Sequence, residues 1–240
     1  MDTLSDALYE VMNRKAKIGF NDKEGHRVIR CRFDWASPNG FHEGLCLVAN
    51  RENNEIKIGY INRMGKMVIN GSRYEYASDF KNGYAPVTKD GLWGMIDKMG
   101  KEVVPCKYDM IGEFHEGLVP VMKDSLWGYV NTEGIEVSPC KYKAAKYFRD
   151  GCTVVATKEG CGIIDNKGEE VIHCKYEGIY NFKGGLALVK KDGLWGAVNK
   201  KGEIVIPCEY RDESLDESYF DDEYQISNEE LKKRVEEMLS

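Results

Sequence analysis

A tandem repeat constrains this chain more than any other feature of its sequence. Glycine recurs in one local context at Gly19, Gly59, Gly94, Gly128, Gly162 and Gly196, with gaps of 40, 35, 34, 34 and 34 residues. A second glycine follows six residues after each, at Gly25, Gly65, Gly100, Gly134, Gly168 and Gly202. A Pro-Cys pair, complete or degenerate, comes next, and then an aromatic: Phe33, Tyr74, Tyr108, Tyr142, Tyr176 or Tyr210. A phenylalanine (Phe41, Phe80, Phe114, Phe148, Phe182) and a third glycine (Gly44, Gly83, Gly117, Gly151, Gly185) complete the period. Self-similarity at a fixed period of this length is the mark of a repeat architecture.

Each period reads as three short strands. Residues 118–123 are β-rich, and Asp124-Ser125, like Asp90-Gly91 and Asp192-Gly193, marks a two-residue hairpin turn. Residues 126–130 return. Asn131-Thr132-Glu133-Gly134, matching Asp97-Lys98-Met99-Gly100, suits a type I turn. Residues 135–137 form the third strand, which Pro139 ends or edges. One such meander cannot bury its own apolar face, so neighbouring units must cover it, with Trp, Tyr and Phe filling the space between them. The expected fold is an all-β repeat protein of six three-stranded antiparallel units, open and solenoid-like, with a closed propeller as the alternative.

The termini break the pattern. Leu4, Leu8, Val11 and Met12 lie on one helical face, so residues 1–16 are predicted to form a helical cap on a repeat array spanning 17–210. In residues 211–240, an acidic stretch with Phe220 and Tyr224 precedes a capping box, Ser227-Asn228-Glu229-Glu230, stapled by Ile226 and Leu231. Leu231, Val235, Met238 and Leu239 continue as an apolar stripe. This second helix is read as the other end cap, with a partner-docking peptide as its competing role.

The run Gly91-Leu92-Trp93-Gly94-Met95-Ile96-Asp97-Lys98-Met99-Gly100-Lys101-Glu102-Val103-Val104-Pro105-Cys106-Lys107-Tyr108 resembles the WG-repeat family, common in bacterial proteins. The resemblance covers residues 17–210. It implies β-rich repeats and carries no general activity, cofactor or catalytic residues to transfer. Ile18, Ile58 and Cys161 depart from it by standing in the Trp position. The first unit also carries insertions around Ser37-Pro38-Asn39 and Glu52-Asn53-Asn54-Glu55, where unit-specific function is expected.

The residue types that usually carry chemistry fall on repeat positions instead. Cys31, Cys106, Cys140, Cys174 and Cys208 share one position, and Cys46, Cys152 and Cys161 stand where small hydrophobes fit. Their spacing matches no zinc motif, and so many unpaired thiols favour a reducing, cytoplasmic compartment. His42 and His115 share a turn position with Lys81, Arg149 and Lys183, while His26 and His173 stand apart. Asp22, Asp97 and Asp165 alternate with Asn62, Asn131 and Asn199, which suggests turn geometry over a calcium ladder. Trp93, Trp127 and Trp195 are read as core between units, and Trp35, outside that position, as the exposed aromatic.

Charge narrows the partners. The net charge is −6, and residues 211–240, with 11 acidic and 4 basic groups, hold −7 of it, leaving the body near +1. A near-neutral body gives no case for nucleic acid, and no apolar run is long enough to span a membrane. The expected role is a non-catalytic scaffold that binds another protein and needs no cofactor or metal. A ligand- or glycan-binding module is the second reading, and an enzyme the third. The sequence leaves the binding residues and the oligomeric state undetermined.

Overall fold

A computed structural model describes residues 7–211. They contain twenty-three strands in six antiparallel sheets, and among them no helix. The first sheet is Tyr9–Met12, Ile18–Asn21 and Arg27–Phe33. The second is Trp35–Ala36, Leu45–Glu52, Glu55–Asn62 and Met67–Asn70. The third is Tyr76–Ala77, Tyr84–Lys89, Leu92–Asp97 and Glu102–Tyr108. The fourth, fifth and sixth repeat this four-strand meander and end at Tyr142, Tyr176 and Tyr210. Each of these five sheets thus has one strand more than the sequence predicts. The addition is a two-residue leading strand in the connection, too short to show a period. The chain forms two compact units, Met1–Phe114 with Thr132–Gly134, and His115–Asn131 with Ile135–Ser240.

The helix expected over residues 1–16 is corrected where it is described, because Tyr9–Met12 is a strand paired with Ile18–Asn21. That pairing satisfies an edge whose backbone N–H and C=O groups would otherwise face only water, and the first sheet has no other strand for it. The helix expected at residues 226–239 lies outside the described residues.

The Trp-Gly pair has a steric cause. Opposite it, the trailing strand shifts register: Trp127 pairs with Tyr142, but Tyr129 already pairs with Ser138. This bulge drives the trailing backbone over the glycine, and a Cβ on Gly128 would sit 2.6 Å from the Ser138 carbonyl oxygen. The same approach recurs at Gly94, 2.6 Å from the Val104 carbonyl. Pro105, Pro139 and Pro207 stand exposed on these trailing edge strands, where a missing N–H removes a template for unwanted pairing.

The cores lie between successive sheets of a unit. In the first unit, Phe20 and Phe33 of the first sheet meet Val48 and Ile61 of the second. Leu47 and Tyr60 of the second, with Tyr74 and Phe80 of the connections, meet Val87 and Ile96 of the third. In the second unit, Tyr129 and Tyr142 meet Phe148 and Ile164, and Ile163 and Tyr176 meet Val189 and Val198. One joint recurs in both: an edge-on aromatic pair at 5.1 Å for Phe20–Phe41, 4.8 Å for Tyr60–Phe80 and 4.9 Å for Tyr129–Phe148. Tyr60 also donates its hydroxyl to the Ser78 carbonyl at 2.5 Å, and Tyr129 to that of Lys146 at 2.6 Å. The expected packing of Tyr and Phe between units is therefore what holds consecutive sheets.

Candidate interaction surface

Each sheet has a forward face, the one that meets the next sheet in chain order. Near the hairpin end of that face, three residues lie side by side across the strands. In the second sheet these are Trp35, Ala49 and Ile58, and in the third Tyr76, Thr88 and Trp93. In the fifth they are Ala144, Ala156 and Cys161, and in the sixth Gly178, Lys190 and Trp195. The leading-strand member always follows the repeat aromatic by two residues, which makes Met110 its counterpart in the fourth sheet.

This row differs sharply between the two units. In the first unit the leading residue is large and exposed: Trp35 at 44%, Tyr76 at 51% and Met110 at 49%. Tyr76 stands edge-on to Trp93 at 5.6 Å, and Trp93 stays half-buried. In the second unit the same position holds Ala144 and Gly178. The Trp195 ring lies beside the glycine, 3.4 Å from where a Cβ would stand, and 5.6 Å from the Tyr180 ring, and Trp195 is 6% exposed. Trp195 is thus the core residue the sequence predicts, whereas Trp93 and Trp127 are only partly covered. Trp35 is exposed, as its place outside the Trp-Gly position suggests.

The two insertions take different parts. Glu52 to Glu55 is not a loop laid on the sheet. It lengthens the hairpin to strands of eight residues, closed by Asn53 and Asn54 at φ 50° and 65°, where the equivalent hairpins of the later sheets have strands of five or six. The extra length carries Ile56, 61% exposed, opposite Arg51 and on the same strand face as Ile58. Charges of both signs rim it. Lys57 pairs with Glu55, and Lys17 with Asp34 at 2.6 Å. Hydrogen bonds from Lys17 and from the Arg51 amide hold the Asp34 carboxyl below its ordinary range. The Ser37-Pro38-Asn39 insertion is an anchor: Ser37 Oγ and Asn39 Nδ2 donate to Asp79 Oδ2 at 2.7 and 2.9 Å, tying it to the following sheet.

The remaining residues singled out in the sequence do not assemble a reacting centre among the described residues. Asp22, Glu24 and His26 bring their ligand atoms within 4.8 Å of one another, but on a largely exposed turn. The turn Asp and Asn residues alternate because one oxygen does their work. Asp97 Oδ1 accepts from the Met99 and Lys101 amides, and Asn62 Oδ1 from those of Met64 and Lys66. His115 stacks against Tyr147 at 4.2 Å, and His173 lies 2.9 Å from a Glu170 carboxylate oxygen. The cysteines stand at buried or half-buried sheet positions. Burial pushes the Cys46 thiol from its ordinary 9.0 to about 12 and that of Cys106 to about 11, which leaves both poor nucleophiles. Tyr76, Met110 and Ile56 were not singled out in the sequence. The signal for the first two was their constant offset from the repeat aromatic.

The chain matches the family described as "WG containing repeat" over residues 58–93, 93–127, 127–160, 162–195 and 195–212, well over half its length. It belongs to the WG-repeat family. No curated protein sequence matches it. Solved structures similar to this WG-repeat chain include Hsv2p of Kluyveromyces lactis, at 11% identity over 68% of this chain and 59% of that one, TM-score 0.36. A eukaryotic initiation factor follows at 12%, 84%, 62% and 0.42. The WD40 domain of Neurospora crassa Pan2 stands at 12%, 77%, 67% and 0.32. The chain spans less than two thirds of the first two, and likenesses this slight transfer no function.

Proposed function

We propose that this WG-repeat chain is a non-catalytic scaffold that binds another protein through the hairpin end of its first unit. One observation supports this most directly. Large apolar residues stand exposed at a single repeat position in three consecutive sheets, Trp35, Tyr76 and Met110, where the second unit has Ala144 and Gly178. Packing within a sheet does not require them, since the fifth and sixth sheets form without them. Aromatic residues, Met and Arg are the types enriched at the centre of protein interfaces, with polar residues at the rim. Trp35, Tyr76, Met110 and Arg51 fit that composition, with Lys57–Glu55 and Lys17–Asp34 at the edge. Eight cysteines, all thiols, suit a reducing, cytoplasmic setting.

The test is capture from a lysate of the source cell by the intact chain and by W35A/Y76A/M110A. The expected result is a partner held by the first and lost by the second, with both equally folded. A partner held equally by both would overturn this placement of the interface. Trp emission that shifts with oligosaccharides and not with protein would favour the glycan reading instead.

A further inference from the structure

The aromatic row of the first unit offers exposed ring faces together with hydrogen-bond donors. Trp35 and Tyr76 are about half exposed, and Trp93 stands edge-on to Tyr76 at 5.6 Å. Among the described residues, the indole N–H groups of Trp35 and Trp93 and the hydroxyl of Tyr76 donate to no protein atom. One carboxylate adjoins the row without a cation. Glu75, next to Tyr76, is exposed and accepts from the Gly91 amide at 3.0 Å, and it pairs with no cation among the described residues. Asp34, next to Trp35, is instead taken up by Lys17 and by the Arg51 amide. The second and third sheets touch close to the row, where Ser37 Oγ donates to Asp79 Oδ2 at 2.7 Å.

We propose that Trp35, Tyr76 and Trp93 receive a proline-rich segment of the protein partner in the polyproline II conformation, with a Lys or Arg of that segment against Glu75. This inference rests on the interface reading above and names the chemistry of its partner. A polyproline II segment has no internal hydrogen bonds, so its carbonyls are free to accept, and its prolines bring no N–H of their own. That is the complement of three aromatic donors. An α-helix uses its carbonyls in its own ladder and would leave those donors unmatched. An added β-strand needs an open sheet edge, and the leading strands Trp35–Ala36 and Tyr76–Ala77 are only two residues long. The spacing agrees as well. Facing sheets lie about 10 Å apart. A polyproline II turn comes back to the same side after three residues, about 9.3 Å further on. Prolines three positions apart therefore meet Trp35 in one sheet and Tyr76 in the next. Aromatic-lined surfaces receive such segments in other recognition domains, where the preformed extended backbone keeps the ordering cost low.

The experiment titrates the full chain into a fluorescein-labelled twelve-residue peptide of repeating Pro-Pro-Lys and reads anisotropy. Repeating Gly-Gly-Lys, of equal charge, and repeating Pro-Pro-Gln, without charge, serve as comparisons. The Pro-Pro-Lys peptide should bind, and the Gly-Gly-Lys peptide should bind at least about tenfold more weakly, because only the first is preformed. W35A/Y76A should abolish binding. W35F and Y76F keep a ring and remove the donor at exposed positions, so each should weaken binding severalfold with the urea midpoint unchanged. E75Q should weaken the Pro-Pro-Lys peptide severalfold and leave the Pro-Pro-Gln peptide as it was. Equal binding of the Gly-Gly-Lys peptide, or equal binding by W35A/Y76A, would overturn the proposal. Neither proline peptide binding, with Trp emission shifting on addition of maltohexaose, would assign the row to a glycan and overturn it too. Failure of both proline peptides in a chain that still captures its partner through Trp35, Tyr76 and Met110 would overturn this inference alone. Capture unaffected in W35A/Y76A/M110A would overturn the interface reading itself.

Discussion

The two units use the same joint and present opposite surfaces. In both, a bulged trailing strand crosses a Trp-Gly glycine, and a buried aromatic meets the next sheet's phenylalanine edge-on. They differ two residues after the repeat aromatic. Trp93 stands edge-on to Tyr76 and is half-buried, while Trp195 lies beside Gly178 and Tyr180 and is buried. The same repeat tryptophan is thus core in one unit and half-exposed in the other.

The largest effect is expected where the two units agree. Gly128→Val places a side chain 2.6 Å from the Ser138 carbonyl, and Gly94→Val one at the same distance from that of Val104. Each should lower stability in urea unfolding by about 3 kcal/mol or more, because neither backbone can retreat without breaking the bulge. Unequal losses would mean the shared framework is not shared.

Next comes the exchange of the differing residue. Gly178→Tyr imports the first unit's residue into the second, should expel Trp195, and should cost about 2 kcal/mol in lost burial. Tryptophan emission should shift to the red. Trp195 emission unaltered by this change would break the comparison.

Alkaline pH should weaken both units in a sequence set by their buried acids. The Cys46 thiol in the first unit is raised by burial from 9.0 to about 12, and the Tyr129 phenol in the second from 10.0 to about 12. Both are neutral in folded and unfolded chains at neutral pH. As pH rises past the unfolded values, only the unfolded chain ionises, so stability falls between those values and about 12. A denaturation midpoint flat from pH 8 to 11 would contradict this. Cys46→Ala should lessen the earlier part of the fall, to which Cys106, raised by burial to about 11, also contributes.

A smaller gain is expected at Ser138, whose buried hydroxyl has no partner and whose equivalents are Val104, Ile172 and Ile206. Ser138→Val should raise stability by about 1 kcal/mol, because an unpaired buried hydroxyl costs roughly that much. The smallest effect belongs to the display residues. Trp35→Ala and Tyr76→Ala should each change unfolding by about 0.5 kcal/mol or less, since about half of each is already exposed. A loss several times larger would make them core residues and remove the basis for the interface.

Much of this could be read from the chain alone. The interchange of Asp97 with Asn62 told of turns, and the amides bonded to their Oδ1 atoms show why either residue serves. The interchange of Trp with Ile58 and Cys161 suggested core, which holds for Trp195 and only in part for Trp93 and Trp127. Two features were hidden for physical reasons. A leading strand of two residues has no periodicity to detect. Leu8, Val11 and Met12 have helical spacing, but in so short a segment pairing with an open sheet edge outweighs local preference.

The sequence by itself determined the period, the turns, the places of the glycines and the family, because each depends on residues close together in the chain. Only the tertiary structure decided which aromatics are covered, that Ser37 and Asn39 serve Asp79, and that the second insertion lengthens a hairpin. Exposure is a property of the neighbours across a sheet and between sheets. Those neighbours lie apart in the chain, and no local pattern encodes that Trp195 lies beside Gly178 and Tyr180 or Trp93 beside Tyr76.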